Sequence, residues 1–173
     1  MTTTTLPRDA SLEKALGTVG DAMTGDVLVL DAGLPADVAV RRLERARVSG
    51  APVTRTGKVA GVVTLRDLLA PTALAPLAPT SGPFLRHEHL LTELSVGDLM
   101  TPEPITVHTD WPLTRAVLAM VERGVNRVPV VDAQGRPVGI LTRDDVLSAL
   151  ADSIRTARAA VSRPAQGSRM APD

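Results

Sequence analysis

One seven-residue pattern occurs twice in this chain, and the duplication constrains the fold more than any other sequence feature. The pattern is a glycine, two apolar residues, a threonine, two variable residues and an aspartate, and it covers residues 61–67 and 139–145. Each copy follows a short apolar segment that contains Pro-Val, at residues 52–53 and 129–130. Because internal repeats of tens of residues indicate a fold assembled from similar units, the chain is expected to contain two such units.

The duplication begins well before the seven-residue pattern. Residues 19–24 and 96–101 both read Val-Gly-Asp-x-Met-Thr, where x is the only position that differs. Short runs that favour β-structure follow at residues 28–30 and 105–107. The correspondence therefore extends over units of more than 40 residues.

The next part of each copy has the spacing of a helix. Pro35 and Pro112 precede these segments, and proline suits the start of a helix because its missing N–H would have no intrahelical partner there. Apolar residues then recur at helical spacing. They are Ala39, Val40, Leu43 and Ala46 in the first copy, and Leu113, Val117, Met120 and Val121 in the second.

A strand, a turn, a second strand and a final helix complete each copy. The turns contain Gly57 and Gly135, and the final helices are predicted to begin near Asp67 and Asp145. Each copy thus reads strand–helix–strand–strand–helix, which predicts a mixed α/β (α+β) fold.

The motifs just described resemble those of a tandem pair of CBS domains, also called a Bateman module, of the stand-alone type. The resemblance implies two βαββα repeats related by pseudo-twofold symmetry, with the sheets packed together and the helices outside. It also implies two clefts between the repeats that hold adenosine-containing ligands. The first copy departs from the family pattern at residues 25–27 and 54–56, so the second copy resembles the family more closely at its site.

The repeats suggest boundaries along the chain. We expect a disordered N-terminus at 1–18, repeat 1 at 19–70, a proline-rich linker at 71–95, repeat 2 at 96–153 and a flexible tail at 154–173.

The duplicated threonine and aspartate allow two interpretations. A threonine followed three residues later by an acidic residue is close to a capping box, which satisfies free N–H groups at a helix start. The same helix start carries partial positive charge and suits a phosphate group. The residues alone leave both interpretations open.

The resemblance assigns ligand-binding roles residue by residue. Asp67 and Asp145 would bind ribose, whereas Thr64 and Thr142 would bind phosphate or ribose. The base pocket would be lined by Ile105, Thr106, Val107, Val128 and Pro129, whose alternative role is that of core strands.

Three arginines are candidate counter-charges for a phosphate, the alternative being solvated surface residues. Arg66 and Arg143 lie inside the duplicated motif, and Arg127 precedes the second Pro-Val segment. Thr24 and Thr101 would either contact ligand or cap a local turn.

Composition excludes several function classes. The chain has 19 basic and 19 acidic residues, so no net field favours nucleic acid or a membrane surface. The arginine-containing tail has no aromatic residues between its arginines, so it does not predict nucleic-acid binding either. It has no cysteine and no apolar run long enough to span a bilayer, and we expect a cytoplasmic protein. No nucleophile elbow, phosphate loop or dinucleotide fingerprint is present, so we expect no enzyme.

A metal site is not predicted. His87 and His89 are the weak candidates, since residues two apart share one side of an extended segment, and their alternative is a hydrated linker turn.

The predicted function is that of a non-catalytic regulatory module. It would bind AMP, ADP or ATP, with NAD or S-adenosylmethionine as less favoured ligands, and transmit the bound state to an unidentified regulated protein; no cofactor is required. The alternative is a ligand-free scaffold for dimerisation or protein interaction.

We also expect a symmetric homodimer formed by helix-to-helix contacts. Trp111 would lie at the edge of the contact surface. The residues expected to form that surface are Ala39, Val40, Leu43, Ala116, Val117 and Met120.

Overall fold

The two copies of the repeat fold into the same succession of elements in the computed structural model, which describes residues 15–74 and 91–161. The helices are α1 (Val19–Ala22), α2 (Ala36–Ala46), α3 (Leu65–Leu74), α4 (Val96–Leu99), α5 (Leu113–Arg123) and α6 (Arg143–Val161). The strands are β1 (Thr24–Gly25), β2 (Leu30–Asp31), β3 (Gly50–Arg55), β4 (Lys58–Thr64), β5 (Thr101–Pro102), β6 (Val107–His108), β7 (Arg127–Val131) and β8 (Pro137–Thr142).

Within the described ranges, the strands form two four-stranded sheets. One has the order β2-β3-β4-β5 and the other β1-β8-β7-β6. In each sheet, a parallel pair (β2 with β3, or β6 with β7) adjoins an antiparallel hairpin (β3 with β4, or β7 with β8). The hairpin turns place Gly57 and Gly135 at φ of 78° and 77°, a conformation that glycine adopts without steric cost. The mixed α/β prediction is confirmed.

The short strand at the start of each copy belongs to the sheet of the other copy. Strand β1 pairs with β8, with Thr24 opposite Ile140, and β5 pairs with β4, with Thr101 opposite Val62. Helix α1 follows the same exchange, because the Val19 and Gly20 amides donate to carbonyls of residues 111 and 109. Sequence analysis did not predict this exchange. It did predict the strands β2 and β6, but slightly too early, at 28–30 and 105–107.

The exchange extends into the two hydrophobic cores. Val96 is fully buried among residues of the first copy, including Leu30, Val53 and Leu68. Val19 is fully buried among residues of the second copy, including Leu113. Each core therefore combines residues of both copies.

The helices α2 and α5 begin and end at equivalent places. Pro35 and Pro112 are their N-cap residues, one position earlier than the first helical residue. Both helices end in a residue with left-handed backbone geometry, which is Gly124 in α5 but Arg47 in α2, at φ 54°.

Several predicted boundaries and burial assignments differ from the structure. Helix α3 extends to Leu74, within the predicted linker, and α6 continues to Val161, within the predicted tail. Val121, predicted to lie on the apolar face of α5, is 72% exposed. Within residues 15–74 and 91–161, no helix is long and apolar enough to cross a bilayer.

Candidate functional site

Both copies of the threonine–aspartate motif form a capping box. Asp145 Oδ2 accepts hydrogen bonds from the Thr142 amide at 2.7 Å and the Thr142 hydroxyl at 2.6 Å, and the Asp145 amide donates to Thr142 Oγ1 at 3.3 Å. The corresponding distances at Thr64 and Asp67 are 2.8, 2.7 and 3.3 Å. The local interpretation of the motif therefore describes the structure, and the carboxylate oxygen that accepts the cap hydrogen bonds is Oδ2 in both aspartates.

The second motif also contacts the first copy. The Thr24 hydroxyl, on strand β1, donates to Asp145 Oδ1 at 3.2 Å. Because β1 is the exchanged strand, the motif of the second copy lies directly beside residues of the first.

Two further capping boxes lie at the start of the short helices α1 and α4. Asp21 Oδ2 accepts from the amide and hydroxyl of Thr18, and Asp98 Oδ2 accepts from those of Ser95. The backbone hydrogen bond from Thr18 lowers the pKa of Asp21, and the hydroxyl of Ser95 lowers the pKa of Asp98. Sequence analysis missed both, although the same threonine- or serine-to-aspartate spacing was present at 18–21 and 95–98.

A cavity of about 530 Å³ lies between the two copies next to Thr142. We refer to it as the Thr142 cleft. Its lining from the first copy comprises Thr24, Asp26, Val27, Leu28, Ala46, Arg47, Val48, Ser49, Gly50 and Pro52. Its lining from the second copy comprises Asn126, Arg127, Ile140, Thr142, Arg143 and Asp144.

The lining of the Thr142 cleft is chemically divided. Val27, Leu28, Pro52 and Ile140 supply apolar surface, whereas Thr24, Ser49 and Thr142 supply hydroxyl groups. The described lining residues include three arginines and two aspartates, and Asp145 beside the cleft is a third carboxylate, so the cleft offers guanidinium donors for an anion without a net positive charge. Apolar walls with a few polar groups are typical of small-molecule sites.

Arg127 crosses from the second copy to the first. Its Nη2 donates to Ser49 Oγ at 3.0 Å. A Cβ atom at Gly50 would lie 2.5 Å from Arg127 Nη1 and 2.6 Å from the Val63 carbonyl oxygen. The absence of a side chain at Gly50 therefore makes room for the guanidinium.

The structure brings together only some of the residues predicted to bind ligand. Thr142, Arg143 and Arg127 line the cleft, and Asp145 caps the helix beside it. Thr64 and Asp67 lie at the symmetry-related position. Thr101 lies beside that motif rather than beside Thr142, because its strand pairs with β4.

The residues predicted to line the base pocket lie in or against the second core, a position that the prediction allowed together with a ligand role. Val107 and Val128 are fully buried in the second core, which was their alternative role, and Pro129 is also buried. Ile105 packs against that core and Thr106 is half-buried. At the Thr142 cleft, Val27 and Leu28 of the first copy hold the positions that correspond to 104 and 105, and sequence analysis missed both.

The remaining candidates lie away from the cleft. Arg66 is exposed on α3. His87 and His89 lie outside the described residues, and no group of three or more possible metal ligands occurs within 15–74 and 91–161. Trp111 packs against the second core, with the Arg115 guanidinium 3.6 Å above its ring centre.

Comparison with known proteins agrees with this architecture. The family model described as "CBS domain" matches residues 19–71 and 96–152. The chloroplastic CBS domain-containing protein CBSX1 of Arabidopsis thaliana is 32% identical over 163 residues, which cover 84% of this chain and 69% of the relative. Its homologue CBSX2 is 36% identical and is covered to 63% of its length, so this chain spans about two thirds of these relatives.

Solved structures show the same fold. The crystal structure of Arabidopsis thaliana CBSX2 matches with a TM-score of 0.67 and 35% identity, covering 80% of this chain and 96% of that one. The structure of CBSX2 in complex with AMP matches with a TM-score of 0.62, covering 78% and 96%. The duplicated elements, the paired sheets and these matches show that the chain belongs to the CBS-domain family, as a tandem pair.

Proposed function

We propose that this chain is a non-catalytic regulatory module that binds an adenosine-containing ligand of the AMP, ADP and ATP class between its two repeats. The observation that carries the proposal is the Thr142 cleft, where both copies contribute apolar, hydroxyl and cationic groups to one cavity. The AMP complex of CBSX2, a relative at 35% identity, supports an adenine nucleotide as the ligand.

The division of the lining suggests how such a ligand would be oriented. The base would pack against Val27, Leu28 and Pro52, since an apolar surface favours burial of a heteroaromatic ring. The phosphate would lie near Arg143 and Arg127, because a guanidinium donates paired hydrogen bonds to phosphate oxygens.

The ribose would bind at Asp145. Its Oδ2 is occupied by the cap, whereas Oδ1 accepts a single hydrogen bond from Thr24. A ribose hydroxyl that donates to Oδ1 would replace or join the Thr24 hydroxyl. The hydrogen bond that strand β1 makes through Thr24 would then differ between the ligand-bound and ligand-free states.

Such a difference is what a regulatory role requires. A ligand shifts a conformational equilibrium only by its differential affinity for the two states. The ligand would alter the Thr24–Asp145 contact, which joins the two copies. We therefore propose that a partner protein binds differently to the chain when this contact is present and when it is altered.

Isothermal titration calorimetry with AMP, ADP, ATP, NAD and S-adenosylmethionine tests the proposal. We expect at least one adenine nucleotide to bind, and UMP, which shares the ribose and phosphate but not the base, to bind much more weakly. Failure of every adenosine-containing ligand to bind with a Kd below about 1 mM would contradict the proposal and favour the scaffold alternative.

A homodimer remains part of the proposed function, through a different surface from the one the sequence suggested. Ala39, Leu43, Ala116 and Met120 are buried in the cores of the chain itself, so of the predicted contact residues only the half-buried Val40 and Val117 are accessible to a second chain. Most of the exposed large apolar side chains of the described residues lie on α5 and α6 of the second copy, and we call these the α5–α6 surface. They are Leu118, Val121, Leu147, Leu150 and Ile154.

The corresponding surface of the first copy is less apolar: Leu69 of α3, equivalent to Leu147, is 50% exposed, but α2 carries charged residues there. Arg41 and Glu44 of α2 hold the positions equivalent to Leu118 and Val121 of α5. We therefore propose that two chains associate through the α5–α6 surface, since exposed apolar patches mark interaction sites. A cytoplasmic location stays a prediction, because the curated relatives include chloroplastic proteins.

A further inference from the structure

Arg127 lies close to both threonine–aspartate motifs. Its Cα lies opposite Thr142 in the β7–β8 ladder, and the equivalent residue of the first copy, Gly50, lies opposite Thr64 in the β3–β4 ladder. The arginine side chain leaves the second copy and reaches the backbone at Gly50. Its guanidinium therefore lies between the two threonine–aspartate motifs.

The distances define this position. Arg127 Nη2 donates to Ser49 Oγ at 3.0 Å, on the lining of the Thr142 cleft. Arg127 Nη1 lies 2.5 Å from the point where a Gly50 Cβ would be, and that point is 3.2 Å from Thr64 Cα. The same guanidinium thus faces the Thr142 cleft and adjoins the backbone at Thr64. The pseudo-twofold symmetry places the second of the two expected clefts at Thr64 and Asp67, and we call it the Thr64 cleft.

The pseudo-twofold symmetry is broken at this point. A strictly symmetric pair would have an arginine at both positions, but a side chain at Gly50 would collide with the Val63 carbonyl oxygen at 2.6 Å as well as with Arg127. One guanidinium therefore replaces two. The other cations near the clefts, such as Arg143 in one and Arg66 in the other, lie at the start of their own helices, α6 and α3.

We propose that Arg127 is a phosphate-binding residue shared by the two clefts, and that it makes them antagonistic toward anionic nucleotides. A phosphate in one cleft would draw the guanidinium and neutralise its single charge, leaving the second phosphate without that partner. The inference rests on the proposed function, because it assumes nucleotide binding in both clefts. It adds a rule for how the clefts influence each other.

Titration calorimetry with AMP on variants that retain one cleft tests the proposal. Asp67→Ala disables the Thr64 cleft, and Asp145→Ala disables the Thr142 cleft. We expect each variant to bind one AMP per chain. The overall association constant for two AMP molecules on the wild type should then be at least about fivefold lower than the product of the association constants measured for the two single-cleft variants. A factor of this size is expected for a typical coupling between sites.

The Arg127→Gln variant identifies the residue responsible. In that background, the shortfall of the overall association constant relative to the product of the single-cleft association constants should disappear. AMP affinity should also fall by about tenfold through loss of a charge-assisted contact. Arg158→Gln is the matched control, since Arg158 lies on α6 as Arg143 does but about 22 Å further along the helix. It should keep both the affinity and the shortfall.

The outcomes separate the two proposals. If the wild type does not bind AMP or any other adenosine-containing ligand, the proposed function fails, and the shared role of Arg127 fails with it. If AMP binds but the single-cleft constants multiply to the wild-type value within about twofold, or only one variant binds AMP, the shared role is wrong while the proposed function stands. A shortfall that persists in Arg127→Gln also overturns the shared role.

Discussion

The Thr24 hydroxyl and the Asp145 carboxylate are joined by a 3.2 Å hydrogen bond although 121 residues separate them in the chain. Thr24 lies on the strand that the first copy contributes to the second sheet, and Asp145 caps the helix that follows that sheet. The bond therefore connects strand exchange, helix capping and the wall of the Thr142 cleft in one contact.

Replacement of Asp145 by alanine should weaken AMP binding more than replacement of Asp67. Asp145 borders the cavity lined by three arginines and its Oδ1 faces Thr24, whereas Asp67 belongs to the copy that departs from the family pattern. Calorimetric comparison of the two variants measures the difference. Equal loss of total affinity would contradict this ranking of the clefts.

Both substitutions also remove a capping box, which provides an internal control. Each should lower the free energy of unfolding by about 1 kcal/mol, as measured by urea denaturation. Because the caps have nearly the same geometry, similar losses of stability with unequal losses of binding would separate the ligand role from the structural one.

The strand exchange predicts that alanine substitutions at two paired glycines affect stability to different extents. Gly25 and Gly139 are directly paired between β1 and β8. A Cβ at Gly139 would lie 2.8 Å from the Thr24 carbonyl oxygen, whereas a Cβ at Gly25 would meet nothing within 4 Å. Gly139→Ala should therefore destabilise the chain by about 1–3 kcal/mol through overpacking, and Gly25→Ala should change stability by less than about 1 kcal/mol.

Urea denaturation of both variants measures these effects. Loss of the β1–β8 pairing should also reduce AMP affinity in Gly139→Ala, since Thr24 lines the cleft. If the two alanine variants unfold at the same urea concentration, the exchanged pairing does not contribute to stability as described.

The α5–α6 surface predicts which substitutions separate a dimer into monomers. Val121→Glu and Leu147→Glu place a carboxylate at sites that are 72% and 57% exposed in the single chain, so the monomer should fold normally while association is lost. Sedimentation velocity measures the assembly state and circular dichroism measures the fold.

Met120→Glu serves as the contrasting variant. Met120 is only 5% exposed, so a carboxylate there should unfold the chain itself rather than separate two chains. A wild type that sediments as a monomer at all concentrations tested would refute the dimer without affecting the ligand proposal.

The caps of α1 and α4 predict a stability that depends on acidic pH. The folded-state pKa values of Asp21 and Asp98 lie below their ordinary value of 3.8. Their contribution is therefore fully present above 3.8 and is lost as the pH falls below it, through the folded pKa. Urea denaturation of wild type and the Asp21→Asn/Asp98→Asn double variant, from neutral pH to about pH 3, measures this.

The double variant should lose less stability than the wild type over that interval, because asparagine does not titrate. Parallel pH curves for the two proteins would show that these carboxylates make no linked contribution.

Repetition made the order of the main elements predictable from the sequence. Duplicated residues such as Thr64 and Thr142 fixed the alignment of the copies, and Pro35 and Pro112 marked two helix starts within one residue. These signals are local, since they depend on backbone chemistry within a few neighbouring positions.

The exchange of short strands was not predictable in this way. Strands β1 and β5 have two residues each, too few to show a periodic pattern, and their partners are distant in the chain. Consequently the sequence did not show which residues lie beside which motif: Thr101 lies beside the first motif, and Val27 lines the Thr142 cleft. Arg127 stays a candidate cation, and its reach to Ser49 depends on the space at Gly50.

The exchanged segments also limit how the pair can move and how it can be divided. Hinge rotation of one sheet away from the other would break the β1–β8 and β4–β5 ladders and withdraw Val19 and Val96 from their cores. A fragment containing a single copy would lack an edge strand of its sheet and one fully buried valine. We therefore expect the tandem pair to unfold as one cooperative unit, and the proposed signal to arise from local rearrangement at the cleft walls rather than from rotation of one half away from the other.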